Sequence, residues 1–286
     1  MTKPALVFIH GRGQGGKDPI ALRDQWIAAL RVGLGEDADR VLDGVDIRFP
    51  FYGDELDTWV KRTEAATPAE ARGAGDEINP DYLAFQQAVV EEILAHHGLD
   101  AAACMGASGA EARGPTWVLG ILRALDHVPG VTGRYIAAIM RDVYLYLRHP
   151  AARAAVDRIV APALSGRCVI VAHSLGTVVT YRLLKSANEV DARLLITLGS
   201  PLGIGPIRAA VVPRHAPRGV ANWINALDNR DTVALFPLGR GRFSLEPQMA
   251  IEDIAGIDNQ THNHHGIVEY LNKAQIARRI GDALEA

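Results

Sequence analysis

A single serine stands between an apolar run and a helical pattern in the segment "CVIVAHSLGTVV", residues 168–179. Ser174 lies two residues after Ala172 and two residues before Gly176, which is a small-x-Ser-x-Gly pattern. This pattern is typical of a tight turn from strand to helix that exposes a serine hydroxyl at the carboxyl edge of a sheet. It predicts that Ser174 is a nucleophile. The alternative is an ordinary serine in a buried strand-to-helix connection.

A serine hydroxyl is a weak nucleophile at neutral pH, so the chemistry requires a base that removes its proton and a carboxylate that orients the base. In the expected chain order, the acid follows a later strand and the histidine comes near the end of the chain. Both residue types occur in that order, in "NALDNRDTVALFP" (225–237) and "DNQTHNHHGIVEYL" (258–271). The candidates are two aspartates and three histidines: Asp228, Asp231, His262, His264 and His265.

The elements that would position these residues follow from the hydrophobic pattern. Short apolar runs bounded by turn signals alternate with helical periodicity, which is typical of βαβ units around a mostly parallel sheet. The runs are nearly continuous hydrophobic blocks, as expected for strands that are buried on both faces. We expect strands over 5–10, 45–53, 167–172, 193–201, 220–228 and 250–258, a helix over 175–186 and a closing helix over 268–284.

Between the second strand and Arg167 lies a long segment with helical periodicity and no strand pattern, which is more than a single crossover needs. We expect helices near 80–97, 116–127 and 131–148 in this segment. The predicted organisation is therefore an α/β core of residues 1–53 and 150–286 with a helical insertion at 54–149. The insertion either extends the core on one side of the sheet or forms a cap or lid over an apolar pocket.

Composition and charge narrow the possible partners and compartments. The chain has 286 residues and a formal net charge of −3 without a basic run, which argues against a nucleic-acid partner. Cys104 and Cys168, its two cysteines, provide no disulfide framework. The first apolar run is too short for a signal peptide, and no run approaches the length of a transmembrane segment. We therefore expect a cytoplasmic protein.

Five motifs occur in one order along the chain: "VFIHGRG", "VAHSLGTVV", "TLGSPL", "WINALDNRDTVA" and "HGIVEYL". On these motifs the chain resembles an α/β-hydrolase, specifically the lipase-like and serine-esterase-like branch. The likeness covers most of residues 4–280 apart from the helical stretch at about 54–150. The resemblance implies an α/β-hydrolase fold, that is, a mostly parallel sheet flanked by helices with a helical insertion before the nucleophile strand. It implies no cofactor.

The resemblance also implies a Ser, Asp, His triad with Ser174 as the nucleophile. Similar proteins carry the acid in an Asp-x-Val element, which here begins at Asp231. Their histidine precedes a Tyr-Leu pair by several residues, which favours His265 ahead of Tyr270. Other candidates stay open: Asp228 for the acid, and His262 and His264 for the base.

Two backbone N–H groups of similar hydrolases bind the oxyanion, one just after the His-Gly pair of the first loop and one just after the nucleophile. In this chain these are Arg12 and Leu175. As an alternative, the glycine-rich loop around Arg12 would cradle a phosphate, but it lacks the Gly-Lys-Ser/Thr ending and the spacing of a dinucleotide fingerprint. The clustered histidines also suggest zinc, but they lack a nearby Cys or a suitably placed Glu, so we expect no metal.

Together these observations predict a serine hydrolase that cleaves a carboxylic ester through an acyl-serine intermediate. Its substrate would be a small-molecule or acyl ester. Thioesterase or amidase activity on the same triad is one alternative, and a catalytically inactive hydrolase fold used for binding or regulation is another. The sequence leaves the oligomeric state open.

Overall fold

A computed structural model of the chain describes residues 3–66, 79–101, 114–127, 132–186 and 190–286. In these ranges the strands are β1 (Ala5–Ile9), β2 (Ile47–Arg48), β3 (Gly166–His173), β4 (Val190–Leu198), β5 (Trp223–Ala226) and β6 (Ile251–Ile254). They form one sheet in the order β2-β1-β3-β4-β5-β6, and all neighbours are parallel. The chain is therefore an α/β protein. The strand order reverses between β1 and β3, the kind of point where open parallel sheets bind ligands.

Helices cover both faces of the sheet. They are α1 (Pro19–Leu34), α2 (Ala38–Leu42), α3 (Gly53–Ala66), α4 (Pro80–His97), α5 (Pro115–Leu125), α6 (Gly133–Arg148), α7 (Pro150–Val160), α8 (Leu175–Leu184), α9 (Gly205–Ala210), α10 (Ile267–Leu271) and α11 (Ala274–Glu285). Apolar side chains of α1, α2, α10 and α11 join one core, and those of α3 to α9 join the other.

The strands alternate their side chains between these two cores. In β3, Val169 and Val171 face the core of α1 and α11, while Ile170 and Ala172 face the core of the helical segment. All four are fully buried, which explains why the run is continuously apolar. Cys168 begins this buried stretch as a free thiol, and burial raises its pKa to about 11. Cys104 lies outside the described residues.

Local sequence signals start the helices where the structure has them. Asp18 caps α1 by accepting a hydrogen bond from the Ile20 N–H, and Pro19 occupies the first helical position. Asn79 and Pro80 do the same for α4, whose bounds are those expected from the sequence. The helices expected near 116–127 and 131–148 are confirmed as α5 and α6, with ends that differ by two residues at most.

Several expected elements differ in length or bounds from the structure. The second strand was expected over 45–53, but only Ile47–Arg48 pairs with β1. Pro50 has no N–H for a ladder, and the chain then turns so that the Tyr52 N–H donates to His10 Nε2. The closing helix breaks after α10, at Asn272 and Lys273, because α10 and α11 each pack separately against α1. Strands β4, β5 and β6 end three, two and four residues earlier than expected, where the loops that carry the site begin.

The described part of the 54–149 segment is helical, and its apolar side chains belong to the same core as one face of the sheet. Residues 67–78, 102–113 and 128–131 of this segment lie outside the described residues. The packing agrees with an extension of the core, and a cap over a pocket stays a separate prediction. No described helix combines the length and the apolar character that crossing a bilayer requires.

Candidate active site

Ser174 occupies a strained turn between β3 and α8. Its backbone angles are φ 54° and ψ −128°, and this positive φ is rare for a residue with a side chain. Holding a non-glycine residue in such a region costs about 1–3 kcal/mol, and residues of this kind concentrate at functional sites. The turn ends β3 at the carboxyl edge of the sheet, beside the β1/β3 switch point. The strand-to-turn-to-helix context expected for Ser174 is therefore observed.

Gly176 lies against the end of β1. A Cβ on Gly176 would lie 2.4 Å from the carbonyl oxygen of His10 and 2.5 Å from that of Ile9. The first turn of α8 therefore packs directly on the end of β1. This contact brings the loop after β1 against Ser174.

Asp231 and His265 form the central hydrogen bond of the site. The distance between His265 Nδ1 and Asp231 Oδ2 is 2.7 Å, and both side chains are buried. Asp231 also accepts hydrogen bonds from the Val233 and Ala234 N–H groups at Oδ1. The Tyr270 hydroxyl donates to Oδ2 as well, at 2.9 Å. In the sequence, Tyr270 served only to select His265 among the histidines, and its contact with Asp231 was not expected.

Ser174 and His265 both lie beside the end of β4. The Ser174 N–H donates to the Leu198 carbonyl, and the next residue, Gly199, has φ 60°. A Cβ on Gly199 would lie 2.9 Å from His265 Cε1 and 3.1 Å from Asp231 Oδ2. Only a residue without a side chain therefore lets the imidazole lie this close to the turn that carries the serine.

Two atoms of this site have no hydrogen-bond partner among the described residues, Ser174 Oγ and His265 Nε2. Both residues are about 1% exposed. Because Nδ1 donates its hydrogen to the Asp231 carboxylate, Nε2 of the neutral ring carries a lone pair. The hydroxyl offers a donor and Nε2 offers an acceptor. Most buried polar atoms are paired, so an unpartnered donor and acceptor in one site need an explanation.

Two further histidines hold the loops around the site, and neither role was expected from the sequence. His173 Nε2 lies 2.7 Å from the carbonyl oxygen of His265. Burial, together with the neighbouring His265, holds the pKa of His173 well below its usual value. His10 Nδ1 lies 2.7 Å from the carbonyl oxygen of Gly11, and burial lowers the pKa of His10 to about 4. Both histidines lie inside motifs quoted above, His10 in "VFIHGRG" and His173 in "VAHSLGTVV", and this position was the available signal.

The predicted oxyanion residues lie on the loops that border Ser174. Leu175 is the first residue of α8, where backbone N–H groups have no partner within the helix. Arg12 follows Gly11, and a Cβ on Gly11 would lie 2.8 Å from Ser174 Cβ. The Arg12 side chain binds Asp142 of α6, with 2.7 Å between Nε and Oδ2. Its charge is thus paired inside the protein.

The alternative residues make other contacts. The carboxylate of Asp228 binds the Arg230 guanidinium at 2.7 Å and the Asn259 N–H at 2.8 Å. His264 Nδ1 lies 2.8 Å from the Asn259 carbonyl oxygen, and His262 is exposed. Of the five candidates, Asp231 and His265 are therefore the two that the structure brings together.

Ser200 follows β4 and serves as a turn residue. Its hydroxyl caps the short 3-10 helix Pro201–Gly203 by accepting from the Leu202 N–H at 3.3 Å. It also lies 2.8 Å from the Thr177 hydroxyl. Ser174 and Ser200 are both buried at the same sheet edge, but only the Ser200 hydroxyl is engaged.

No protein-family model matches the chain, and the curated proteins contain no significant match. The geometry of the site is therefore the basis for assigning a function.

Proposed function

We propose that this chain is a serine hydrolase of the α/β-hydrolase fold, which cleaves carboxylic esters through an acyl-serine intermediate. Ser174 is the nucleophile, His265 the base, and Asp231 the acid that orients the base. The substrate is a small-molecule or acyl ester. The observation that carries this proposal is the pair of buried atoms without partners, Ser174 Oγ and His265 Nε2, beside the Asp231 to His265 hydrogen bond.

In the first half of the proposed reaction, His265 Nε2 removes the hydroxyl proton of Ser174 while Oγ attacks the ester carbonyl. The protonated imidazole is stabilised by the Asp231 carboxylate, and it then delivers its proton to the leaving alcohol. In the second half, His265 removes a proton from water, the resulting hydroxide attacks the acyl-serine, and the proton returns to Ser174 Oγ. The products are a carboxylic acid and an alcohol.

Negative charge develops on the carbonyl oxygen in both halves. The N–H groups of Arg12 and Leu175 are the proposed donors to this oxygen. Leu175 begins α8, so the positive end of the helix dipole also favours charge at this position. One such donor contributes about 3 kcal/mol to transition-state stabilisation in enzymes of this type.

The Ser174 hydroxyl is buried, so a substrate reaches it only after a local rearrangement. Tyr135 of α6 lies beside the proposed base. Its ring lies edge-on to the His265 ring, with 5.8 Å between centroids, and the Arg12 guanidinium lies 5.8 Å from the Tyr135 ring. The helical segment therefore contributes a wall to the proposed site.

Labelling with a fluorophosphonate tests the nucleophile, because this reagent forms a covalent bond with activated serines. We expect the wild-type chain to label and to hydrolyse p-nitrophenyl butyrate. Ser174→Ala should abolish labelling and lower kcat by roughly 10,000- to 1,000,000-fold. Ser200→Ala is the matched control, since it removes a buried serine hydroxyl at the same edge and should label as the wild type does.

A wild-type chain that does not label, or a Ser174→Ala variant that labels normally, would contradict the proposal and favour a binding or regulatory role. The bond specificity requires a separate comparison. We expect the oxygen ester of butyrate to be cleaved faster than its thioester and its anilide at equal concentration. If the thioester or the anilide is cleaved faster, the proposed triad stands and the enzyme is a thioesterase or an amidase.

A further inference from the structure

The Asp231 carboxylate receives four hydrogen bonds, and one of them comes from a side chain outside the proposed triad. Oδ1 accepts from the N–H groups of Val233 at 2.9 Å and Ala234 at 3.2 Å. Oδ2 accepts from His265 Nδ1 at 2.7 Å and from the Tyr270 hydroxyl at 2.9 Å. The base therefore shares its carboxylate oxygen with a tyrosine.

The direction of the tyrosine hydrogen bond is determined by its second contact. The Asp228 N–H donates to the Tyr270 hydroxyl oxygen at 3.1 Å, so the hydroxyl hydrogen is free to point at Asp231. Tyr270 is fully buried in α10. Burial, and then the Asp231 charge, hold the pKa of Tyr270 well above its ordinary value, so the phenol keeps this hydrogen.

We propose that Tyr270 is a positioning residue for the triad, acting through Asp231. This inference rests on the proposed function. The hydroxyl holds Oδ2 in line with His265 Nδ1 and draws part of the carboxylate charge to itself. It therefore sets both the direction in which the imidazole points and the pH at which the base gives up its proton.

Without the hydroxyl, Oδ2 would have His265 as its single hydrogen-bond donor. Its charge would then be less dispersed and would hold the protonated imidazole more strongly. The base would remain protonated, and the enzyme inactive, up to a higher pH. The Asp231 carboxylate would also lose one of the two contacts that orient Oδ2, which lowers the fraction of molecules with His265 aligned to Ser174.

Titratable and charged groups surround the Asp231 to His265 hydrogen bond on several elements. Tyr135 of α6, His173 at the end of β3 and Tyr270 of α10 contact Asp231 or His265 directly. Arg12, in the loop after β1, lies over the Tyr135 ring and pairs with Asp142, and the Asp228 N–H of the loop after β5 contacts the Tyr270 hydroxyl. Burial keeps His173 neutral and raises the pKa of Tyr135, so neither changes charge near neutral pH. Tyr270→Phe leaves all the charged groups in place and removes one hydroxyl.

The experiment compares Tyr270→Phe with Tyr146→Phe by measuring kcat and KM for p-nitrophenyl butyrate across pH. Tyr146 is a buried tyrosine of α6 whose hydroxyl donates to Asp157 of α7 at 2.7 Å and not to a triad residue, so the two variants lose similar hydrogen bonds. For Tyr270→Phe we expect kcat to fall about tenfold with KM little changed, and the acid limb of the profile to move up by about half a pH unit. Tyr146→Phe should keep the wild-type profile, whatever its thermal stability.

A purely structural role for Tyr270 predicts lower thermal stability and an unshifted profile, and that result would overturn the inference. If Tyr270→Phe does not fold, 3-fluorotyrosine placed at position 270 decides the question. It keeps the ring and donates a stronger hydrogen bond, so the acid limb should move to lower pH, and an unmoved limb would again overturn the inference. Ser174→Ala, assayed alongside, separates the two proposals: if Ser174→Ala stays active, the proposed function fails, whereas an unshifted Tyr270→Phe with an inactive Ser174→Ala removes only the role of Tyr270.

Discussion

Two carboxylates three residues apart in the loop after β5 belong to different clusters. The inner cluster consists of Asp231, His265 and Tyr270, and the outer cluster consists of Asp228, Arg230, Asp258, Asn259 and His264. In the outer cluster, Arg230 bridges Asp228 and Asp258 at 2.7 Å each, so a cation balances the carboxylates directly. In the inner cluster, the described partners of Asp231 are two backbone N–H groups, the Tyr270 hydroxyl and the His265 imidazole.

Because of this difference, Asp228 stabilises a loop, whereas Asp231 is the carboxylate that fits the proposed acid of the triad. Burial alone raises the pKa of Asp228, but hydrogen bonds from the Arg230 side chain and from the backbone of Arg230 and Asn259 outweigh burial and hold the pKa below its usual range. The negative charge of Asp228 is therefore already balanced by the Arg230 guanidinium in the resting protein. The described partners of Asp231 include no arginine or lysine, so its carboxylate is placed to stabilise the imidazolium that the proposed reaction forms.

The largest expected effect separates the histidines of the two clusters. His265→Ala removes the proposed base, so kcat should fall roughly 10,000- to 1,000,000-fold. His264→Ala removes only a contact with the Asn259 carbonyl, so most turnover should remain, and the same is expected of His262→Ala. Steady-state ester hydrolysis by the three variants measures this. If His265→Ala stays active, His265 is not the base, and the inner cluster is no more catalytic than the outer one.

The next effect compares the two aspartates. Asp231→Asn keeps the shape of the side chain but presents an amide to His265, which favours the wrong tautomer, so kcat should fall roughly 1,000- to 10,000-fold. Asp228→Asn should leave kcat near the wild-type value. Both are measured in the same assay, with circular dichroism to check folding. If Asp231→Asn stays active and Asp228→Asn does not, the acid is Asp228.

The smallest effect is one of stability in the outer cluster. Asp228→Asn weakens the bonds to Arg230 and Asn259 and should lower the free energy of unfolding by about 1–3 kcal/mol at pH 7. Because the pKa of Asp228 is lowered in the folded state, its contribution is complete above the unfolded value of about 3.9 and is lost as pH falls through the folded value. The gap between wild type and Asp228→Asn, measured by urea denaturation, should therefore narrow below about pH 4. A gap that is constant with pH would mean that the charge of Asp228 contributes nothing.

The buried strands were readable from the sequence because burial on both faces requires continuous apolar runs. The 166–173 strand and the 80–97 helix agree closely with expectation, since a hydrophobic block and an Asn-Pro start are local signals. The end of the second strand could not be predicted from the sequence. Its length depends on pairing with β1 and on the turn that brings Tyr52 to His10, which are tertiary contacts.

The residues around the site divide in the same way. The strand-to-helix turn at Ser174 follows from a pattern within a few residues. The roles of His10, His173 and Tyr270 depend on hydrogen bonds that cross between distant loops, such as the one from His173 to the His265 carbonyl. No periodicity or composition marks such partners.

The sequence by itself determined that a serine would follow a buried parallel strand, and that aspartates and histidines would come later in an order suited to a triad. Only the tertiary structure decided which of them meet. Asp231 and His265 are 34 residues apart in the chain, and Asp228 lies three residues from Asp231, so spacing alone barely distinguishes the two acids. Arg230 pairs with Asp228, and the His265 imidazole pairs with Asp231. These pairs form only when the loops at the carboxyl edge of the sheet pack together.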